Sequence, residues 1–439
     1  MPDILILADD LSGAADCGIA CVKFGLDAAV SLGEPSTAIS ARTVAVDADT
    51  RVLTAEAAAA RMFDLTRAWG SDPATLLFKK IDSTLRGHLG PELAAVLAAR
   101  RITVPSPIAV MAPAFPAIGR TTRDALHFVH GQPLHLTDTW RNEKMTGEAH
   151  IPSMLANAKL RCTHVDLAAL HGLGRPSPNA FAGTDVLICD AVDDNDLRAV
   201  AEIAAALGPR AIWVGSAGLA YHLPHAAGFV SPANSRINVM HFAPPPTDRP
   251  TLFVLGSASR RTWDQATVLL SSSDIHGVVI PPETLLAGPG TADWQAFATD
   301  LYTAIDAGLD VVLLCDSQPR VPPEDRPTLS LALAEMTASL RDRVGTLIAS
   351  GGETARKVLD RWGVRSMELH GELETGVPIS SATLDPTSTI TIITKAGDFG
   401  QHDTLLRALL WAQQATSPKP LPEHQTPVTP KFDSEDSPQ

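Results

Sequence analysis

The chain is short of cysteine, of aromatic residues, of basic charge and of long apolar runs, and each shortage removes a class of function. Its five cysteines, Cys17, Cys21, Cys162, Cys189 and Cys315, show no paired spacing of the kind that binds zinc. They read as small buried hydrophobes in a reducing compartment. With 35 basic against 49 acidic residues, the net charge of −14 argues against a general binder of nucleic acid or of anionic membranes. Any anionic substrate must therefore be caught by local basic groups. No apolar stretch reaches bilayer length and no basic-then-apolar leader follows Met1, so the expectation is a soluble cytoplasmic protein. No G-x-x-x-x-G-K motif with a following Ser or Thr is present, which excludes a P-loop enzyme, and no G-x-G-x-x-G follows a predicted strand. Asp398-Phe399-Gly400 spells a protein-kinase triplet without the H-R-D loop or V-A-I-K strand that should precede it, and is read as coincidence.

What is present describes a globular α/β protein. Apolar residues make up 45% of the 439 and charged residues 19%, enough for a sizeable core and too long a chain for one. Short β-rich runs, each followed by a glycine or polar turn and an Ala-rich amphipathic stretch, predict parallel sheets. The predicted strands are residues 4–8, 28–32, 43–46, 76–79, 108–112, 185–189 and 211–214 in the first half. In the second half they are 252–255, 311–315, 346–349 and 390–394. The proline-rich stretch 231–250 reads as a linker, dividing a domain at 1–230 from one at 251–415, and 416–439 reads as a disordered tail. The expected fold is two mostly parallel sheets flanked by helices, with a cleft between them. No internal repeat is evident.

Polar and glycine clusters fall repeatedly at the carboxyl ends of predicted strands, where open α/β sheets bind ligands. Asp9 and Asp10, after the first strand, can accept hydrogen bonds from hydroxyls, bind Mg²⁺ or act as a general base; the alternative is a helix cap. Lys80, Asp82, Ser83 and Arg86 form a turn suited to a carboxylate or phosphate, with Arg86 able to bind it through two parallel N–H groups. Arg120 and neighbouring hydroxyls follow the strand at 108–112. In the second half, Ser257 and Ser259, the turn Gly351-Gly352-Glu353-Thr354, and Gly397 follow three strands. Glycines that admit close backbone approach, with amides at a helix start, suit a polyphosphate.

These stretches together resemble the four-carbon acid sugar kinases. The matching blocks are ADDLSGAAD from Ala8, KIDSTLRG from Lys80, APAFPAIGRTT from Ala112 and GSAGLA from Gly215. GSAS from Gly256, SGGETA from Ser350, GELETGVP from Gly371 and KAGDFG from Lys395 complete the order over about 410 residues. The resemblance implies that a first domain binds the sugar acid and a second binds ATP, with transfer in the cleft, Mg²⁺ assisting and hinge closure excluding water. It implies substrate contacts from Asp9, Asp10, Lys80, Asp82, Ser83, Arg86 and Arg120. Nucleotide contacts would come from Ser257 or Ser259, the turn Gly351, Gly352, Glu353 and Thr354, and Gly397. The base is open among Asp9, Asp10 and Asp82, and the metal ligands are unassigned. Two departures stand out: family members often read KAGGFG and ADDLTG, where this chain has Asp398 and Ser12. D-Threonate or D-erythronate, phosphorylated at the 4-position, is the expected substrate, with 3-oxo-tetronate or a branched oxo-acid as the alternative and self-association left open. A non-catalytic sugar-acid sensor would need only the first-half clusters, and a dehydrogenase would need an atypical dinucleotide site.

Overall fold

The computed structural model describes residues 2–414 except 34, 36–38, 173–176, 178–180, 231–241, 245–246, 258, 317–321, 323–324 and 386–387. Most of the expected linker and all of the expected tail lie outside the described residues. The first half contributes strands β1 (Ile4–Ala8), β2 (Ala28–Ser31), β3 (Thr43–Asp47), β4 (Leu76–Lys80) and β5 (Ile108–Ala112). A small antiparallel ribbon follows, of β6 (Arg120–Arg123), β7 (Leu126–Val129) and β8 (Gln132–Pro133). Next come β9 (Cys162–Val165), β10 (Val186–Cys189) and β11 (Ala211–Gly215). The second half supplies β12 (Thr251–Leu255), β13 (His276–Ile280), β14 (Val311–Cys315), β15 (Thr346–Ser350), β16 (Ser366–Glu372), β17 (Pro378–Asp385) and β18 (Ser388–Lys395).

All but the ribbon belong to one fifteen-stranded sheet, ordered β13-β14-β12-β15-β18-β17-β16-β2-β3-β1-β4-β11-β5-β10-β9. The halves are therefore fused edge to edge, by antiparallel pairing of β16 with β2 from Ser366 opposite Ser31 to Leu369 opposite Ala28. That junction brings a difference from the two separate sheets expected from sequence. β16 and β17 are antiparallel insertions between parallel strands. Their polar, irregular alternation lacks the continuous Val/Ile/Leu signature of strands covered on both faces.

Burial explains the rest. β1, β12 and β14 are buried along their whole length, as strands sandwiched by helices must be. On one face of the sheet a single apolar core runs through both halves, from Ile19 and Val30 to Trp362 and Leu369. The other face carries two separate cores, one per half. Among the described residues no helix is long and apolar enough to cross a membrane.

The two halves share a strand order that sequence comparison between them does not reveal. In each, the first strand lies between the third and the fourth: β3-β1-β4 in the first half, β14-β12-β15 in the second. A parallel sheet opens a crevice at its carboxyl edge where the order reverses. That point falls between β1 and β4 in one half and between β12 and β15 in the other.

Candidate active site

At the first crevice, Asp10 caps the helix Leu11–Val22: its Oδ1 accepts the Gly13 N–H at 2.9 Å. The capping alternative is thus satisfied, but it occupies one oxygen only. Asp10 Oδ2 lies 2.8 Å from Arg51 Nη1, and Arg51 also donates to Asp9 Oδ2 from Nε at 3.0 Å and Nη2 at 2.7 Å. A weaker contact of 3.4 Å reaches Asp82 Oδ2. One guanidinium therefore holds three carboxylates together. Sequence reading passed over Arg51, although it follows β3 by four residues and the same carboxyl-end rule reaches it.

Asp82 is saturated. Its Oδ1 accepts from the Thr84 backbone at 2.9 Å and from the Thr84 hydroxyl, and Arg86 donates to both oxygens at 3.0 and 2.8 Å. Burial opposes its charge, but Arg86 and Arg51 hold the carboxyl well below the usual range. The fork of Arg86 expected to be open to a substrate is thus engaged by Asp82. The turn explains why: Leu85 at φ +57° and Gly87 at φ +89° fold the four-residue segment back on itself. A buried histidine fixes this turn from below. His127 Nε2 donates to the Ser83 carbonyl at 2.9 Å, which leaves Nδ1 to accept the Thr122 hydroxyl at 3.0 Å. Arg120 Nη1 donates to the Ile118 carbonyl at 3.0 Å, and its Nε is buried without a partner.

Lys80 differs from these. Its ammonium makes no hydrogen bond among the described residues, and a Cβ at Gly13 would collide with it. Burial works against its charge, and Asp10 and Asp9 outweigh that and raise its pKa. A retained, uncommitted cation beside Asp10 is suited to an incoming anion.

At the second crevice, Gly351 has φ +98° and is the N-cap of the helix Gly352–Arg361, whose first amides receive no side-chain cap. A Cβ at Gly397 would strike Ser257 Oγ and come within 3.2 Å of Ser259 Cβ, so Gly397, Ser257 and Ser259 converge on the same turn. Lys395 sits under this loop, donating to Thr262 Oγ1 at 3.3 Å and to the carbonyls of Ala396, Gly397 and Phe399 at 3.1, 2.9 and 3.3 Å. Burial pushes its pKa down to about 8. Asp398 accepts the Ser259 hydroxyl at 2.5 Å. Thr354 turns inward to Ser330 at 3.1 Å, so its side chain is structural. Glu353 Oε1 is buried without a hydrogen-bond partner.

The two crevices face each other. A Cβ on Gly352 would stand 2.8 Å from Ser12 Oγ and 3.8 Å from Asp10 Oδ2. The approach is fixed by contacts unseen in sequence: ion pairs of Arg356 Nη1 with Asp47 Oδ2 at 2.7 Å and of Lys357 with Asp49 at 3.2 Å, and a hydrogen bond from Arg356 Nη2 to the Leu32 carbonyl at 3.0 Å.

Residues 4–223 match a family described as a sugar-binding N-terminal domain, and residues 252–405 one described as a nucleotide-binding C-terminal domain. A D-threonate kinase of Cupriavidus necator is 36% identical, over 95% of this chain and 99% of its own length. A 3-oxo-tetronate kinase of Methylobacterium radiotolerans is 27% identical, over 92% of this chain and 97% of its own. The crystal structure of a Haemophilus influenzae protein of the family DUF1537 superposes with a TM-score of 0.69 at 21% identity, covering 93% of this chain and 99% of that one.

Proposed function

This chain belongs to the four-carbon acid sugar kinase family, and from that premise we propose that it transfers the γ-phosphate of ATP to the 4-hydroxyl of D-threonate. The observation that carries the reading is the facing pair of crevices: Asp10 and the uncommitted Lys80 ammonium lie opposite the Gly351-Gly352 turn. Phosphoryl transfer needs the two substrates in line and charge stabilised, with little covalent chemistry from the protein.

Each side chain has a task on this reading. The helix amides after Gly351, with Ser257 and Ser259, hold the phosphates of ATP, and the glycines let the backbone reach them. Lys80 and Ser83 receive the sugar acid, with the outer edge of Arg86 and Arg120 along its length. Among the three aspartates, Asp10 is the base. Asp82 has every lone pair engaged, and Asp9 is buried under Arg51, which lowers its pKa against the effect of burial. Asp10 stands at the opening, with its side chain 23% exposed. Arg51 holds its Oδ2 in place at 2.8 Å, where the carboxylate can accept the alcohol proton, while Lys80 neutralises charge developing on the transferred group.

Mg²⁺ fits this site, since Glu353 Oε1 is a buried hard oxygen lacking a partner and Asp398 adds an exposed carboxylate that accepts the Ser259 hydroxyl; the ion would neutralise phosphate charge there. No cluster of three or more acidic, His or Cys ligands exists among the described residues, as expected for an ion held largely by the nucleotide's own phosphates. The test is an ADP-release assay over D-threonate, D-erythronate and their 3-oxo forms. Fastest turnover on an oxo-acid moves the assignment to the oxo-tetronate class. ATP binding without ADP release on any of them overturns the kinase reading.

A further inference from the structure

The turn between β16 and β17 lies in the sequence block GELETGVP, to which the transfer site assigns no task. The turn is tight: the Leu373 N–H donates to the Val377 carbonyl and the Val377 N–H to the Glu374 carbonyl, both at 2.9 Å. Its two glutamates serve different halves of the molecule. Glu372 pairs with Lys23, at the end of the helix Leu11–Val22 in the first half. Glu374 meets the segment that follows β18: its Oε1 accepts the Gln401 N–H at 3.1 Å and the Thr404 hydroxyl, and its Oε2 pairs with Arg407. Two glycines admit this contact. A Cβ at Gly400, which has φ +89°, would stand 2.7 Å from Glu374 Oε1, and one at Gly376, at φ +80°, would strike the Phe399 ring.

The Glu374 carboxylate sits where the helix Thr404–Gln413 begins. Asp403, the N-cap residue of that helix, gives it no side-chain cap among the described residues, and Glu374 supplies the negative charge that a helix start favours. Through Gln401 it also fixes the far end of the loop 396–401. The rest of the loop is set by donors to its carbonyls. Lys395 holds those of Ala396 and Gly397 at 3.1 and 2.9 Å, Arg261 Nη1 that of Gly400 at 3.0 Å, and Gln265 Nε2 that of Gln401 at 2.6 Å. In a trans peptide the N–H points opposite to the carbonyl of the same unit. The N–H groups of Gly397 and Asp398 are therefore turned away from Lys395, on the loop where Gly397 meets Ser257 and Ser259. Successive amides turned the same way form a concavity for an anion.

Building on the reading that ATP phosphates lie beside Ser257 and Ser259, we propose that Glu374 is a positioning residue for ATP. By anchoring Gln401 and the start of the helix Thr404–Gln413, it holds the loop 396–401 with the Gly397 and Asp398 amides presented to the phosphates. Glu372, two residues earlier, ties the same turn to the first half and has no part in that presentation.

The test is calorimetric titration with ATP in the presence of Mg²⁺, with the KM for the sugar acid taken from ADP release. The native chain is compared with Glu374→Ala, Glu374→Gln and Glu372→Gln, and thermal melting checks that each folds. Glu374→Ala should weaken ATP binding at least about tenfold, the loss of a hydrogen bond to a charged group, and leave the KM for the sugar acid within about twofold. Glu374→Gln keeps an oxygen for the Gln401 N–H and should recover part of the affinity; if the alanine variant does not fold, a loss of about threefold or more in the glutamine variant carries the test. Glu372→Gln breaks the ion pair with Lys23 and should melt earlier while binding ATP as the native chain does. ATP affinity unchanged in the Glu374 variants, an equal loss in Glu372→Gln, or a parallel rise in the KM for the sugar acid overturns the positioning role. Binding is read without turnover, so a native chain that binds ATP but phosphorylates no sugar acid overturns the kinase reading and leaves the ATP titrations to decide on Glu374. A native chain that binds no ATP overturns both.

Discussion

Gly352 and Ser12 meet across the junction of the two halves so closely that a Cβ on the glycine would lie 2.8 Å from the serine Oγ. The transfer site depends on that missing atom. Gly352→Val should weaken ATP binding by roughly 1–3 kcal/mol, the usual cost of overpacking, or about five- to a hundredfold in Kd by calorimetry. Ser12→Gly placed on the same chain removes the colliding hydroxyl and should recover part of the loss. Unchanged ATP affinity in Gly352→Val would remove this turn from the nucleotide site.

Asp10→Asn separates capping from chemistry. Asparagine still accepts the Gly13 N–H, so the helix keeps its cap. The lost ion pair with Arg51 is part-exposed and should cost no more than about 1 kcal/mol in urea unfolding. Turnover should fall on the order of a hundredfold, the contribution of a general base. Near-native turnover would return Asp10 to a structural role.

Much of this architecture is legible in the sequence because parallel strands buried on both faces announce themselves as apolar runs. The predicted runs 4–8, 108–112 and 311–315 coincide with β1, β5 and β14. The polar clusters could be read because a strand end followed by glycine or aspartate is a local signal. What escaped is non-local. The pairing of β16 with β2 joins segments more than three hundred residues apart, and so does the Arg356–Asp47 ion pair. Arg86 looked free because its partner Asp82, four residues away, meets it only through the left-handed Leu85. His127 is invisible for a similar reason, since its role is to hold a carbonyl on a turn forty-four residues earlier.

Arg51→Met should expose the cost of gathering three carboxylates. Removing the guanidinium leaves Asp9 buried without its counter-ion, at roughly 2–4 kcal/mol, somewhat below the figure for a fully buried pair because Arg51 is 23% exposed. Adding Asp9→Asn relieves the stranded charge and should restore part of the stability, but not the activity. A double variant no more stable than the single one would show that Arg51 does not act through Asp9.

His127 gives the site an acid limit. Burial lowers its pKa to about 4 from an ordinary 6.5, the Ser83 carbonyl bond only partly opposing. Between those values the unfolded chain takes up a proton that the folded chain refuses. The resulting stability is complete above pH 6.5 and is lost as pH falls toward 4, a change of about 3 kcal/mol. Urea unfolding from pH 7 to 4.5 should show this slope in the native chain and lose it in His127→Gln. An identical slope in both would mean that other groups carry the acid sensitivity.

Asp398 stands where related kinases often have glycine, and its position gives its removal two opposed effects. Its carboxylate accepts the Ser259 hydroxyl at 2.5 Å beside the turn proposed to hold the phosphates. Toward metal-free ATP it is a like charge at short range, so Asp398→Gly should tighten binding of the nucleotide in the presence of a chelator, most visibly at low salt. It also frees Ser259 to donate to a phosphate oxygen, which acts in the same direction. Toward the magnesium complex the sign reverses, because a hard oxygen donor is lost and the apparent KM for Mg²⁺ should rise several-fold at saturating ATP. The informative quantity is the ratio of ATP affinities with and without Mg²⁺, since damage to the loop would weaken both together. A smaller ratio in Asp398→Gly assigns the carboxylate to the ion, whereas tighter binding in both conditions assigns it to repulsion alone. If both affinities are unchanged, Asp398 faces solvent and contributes to neither.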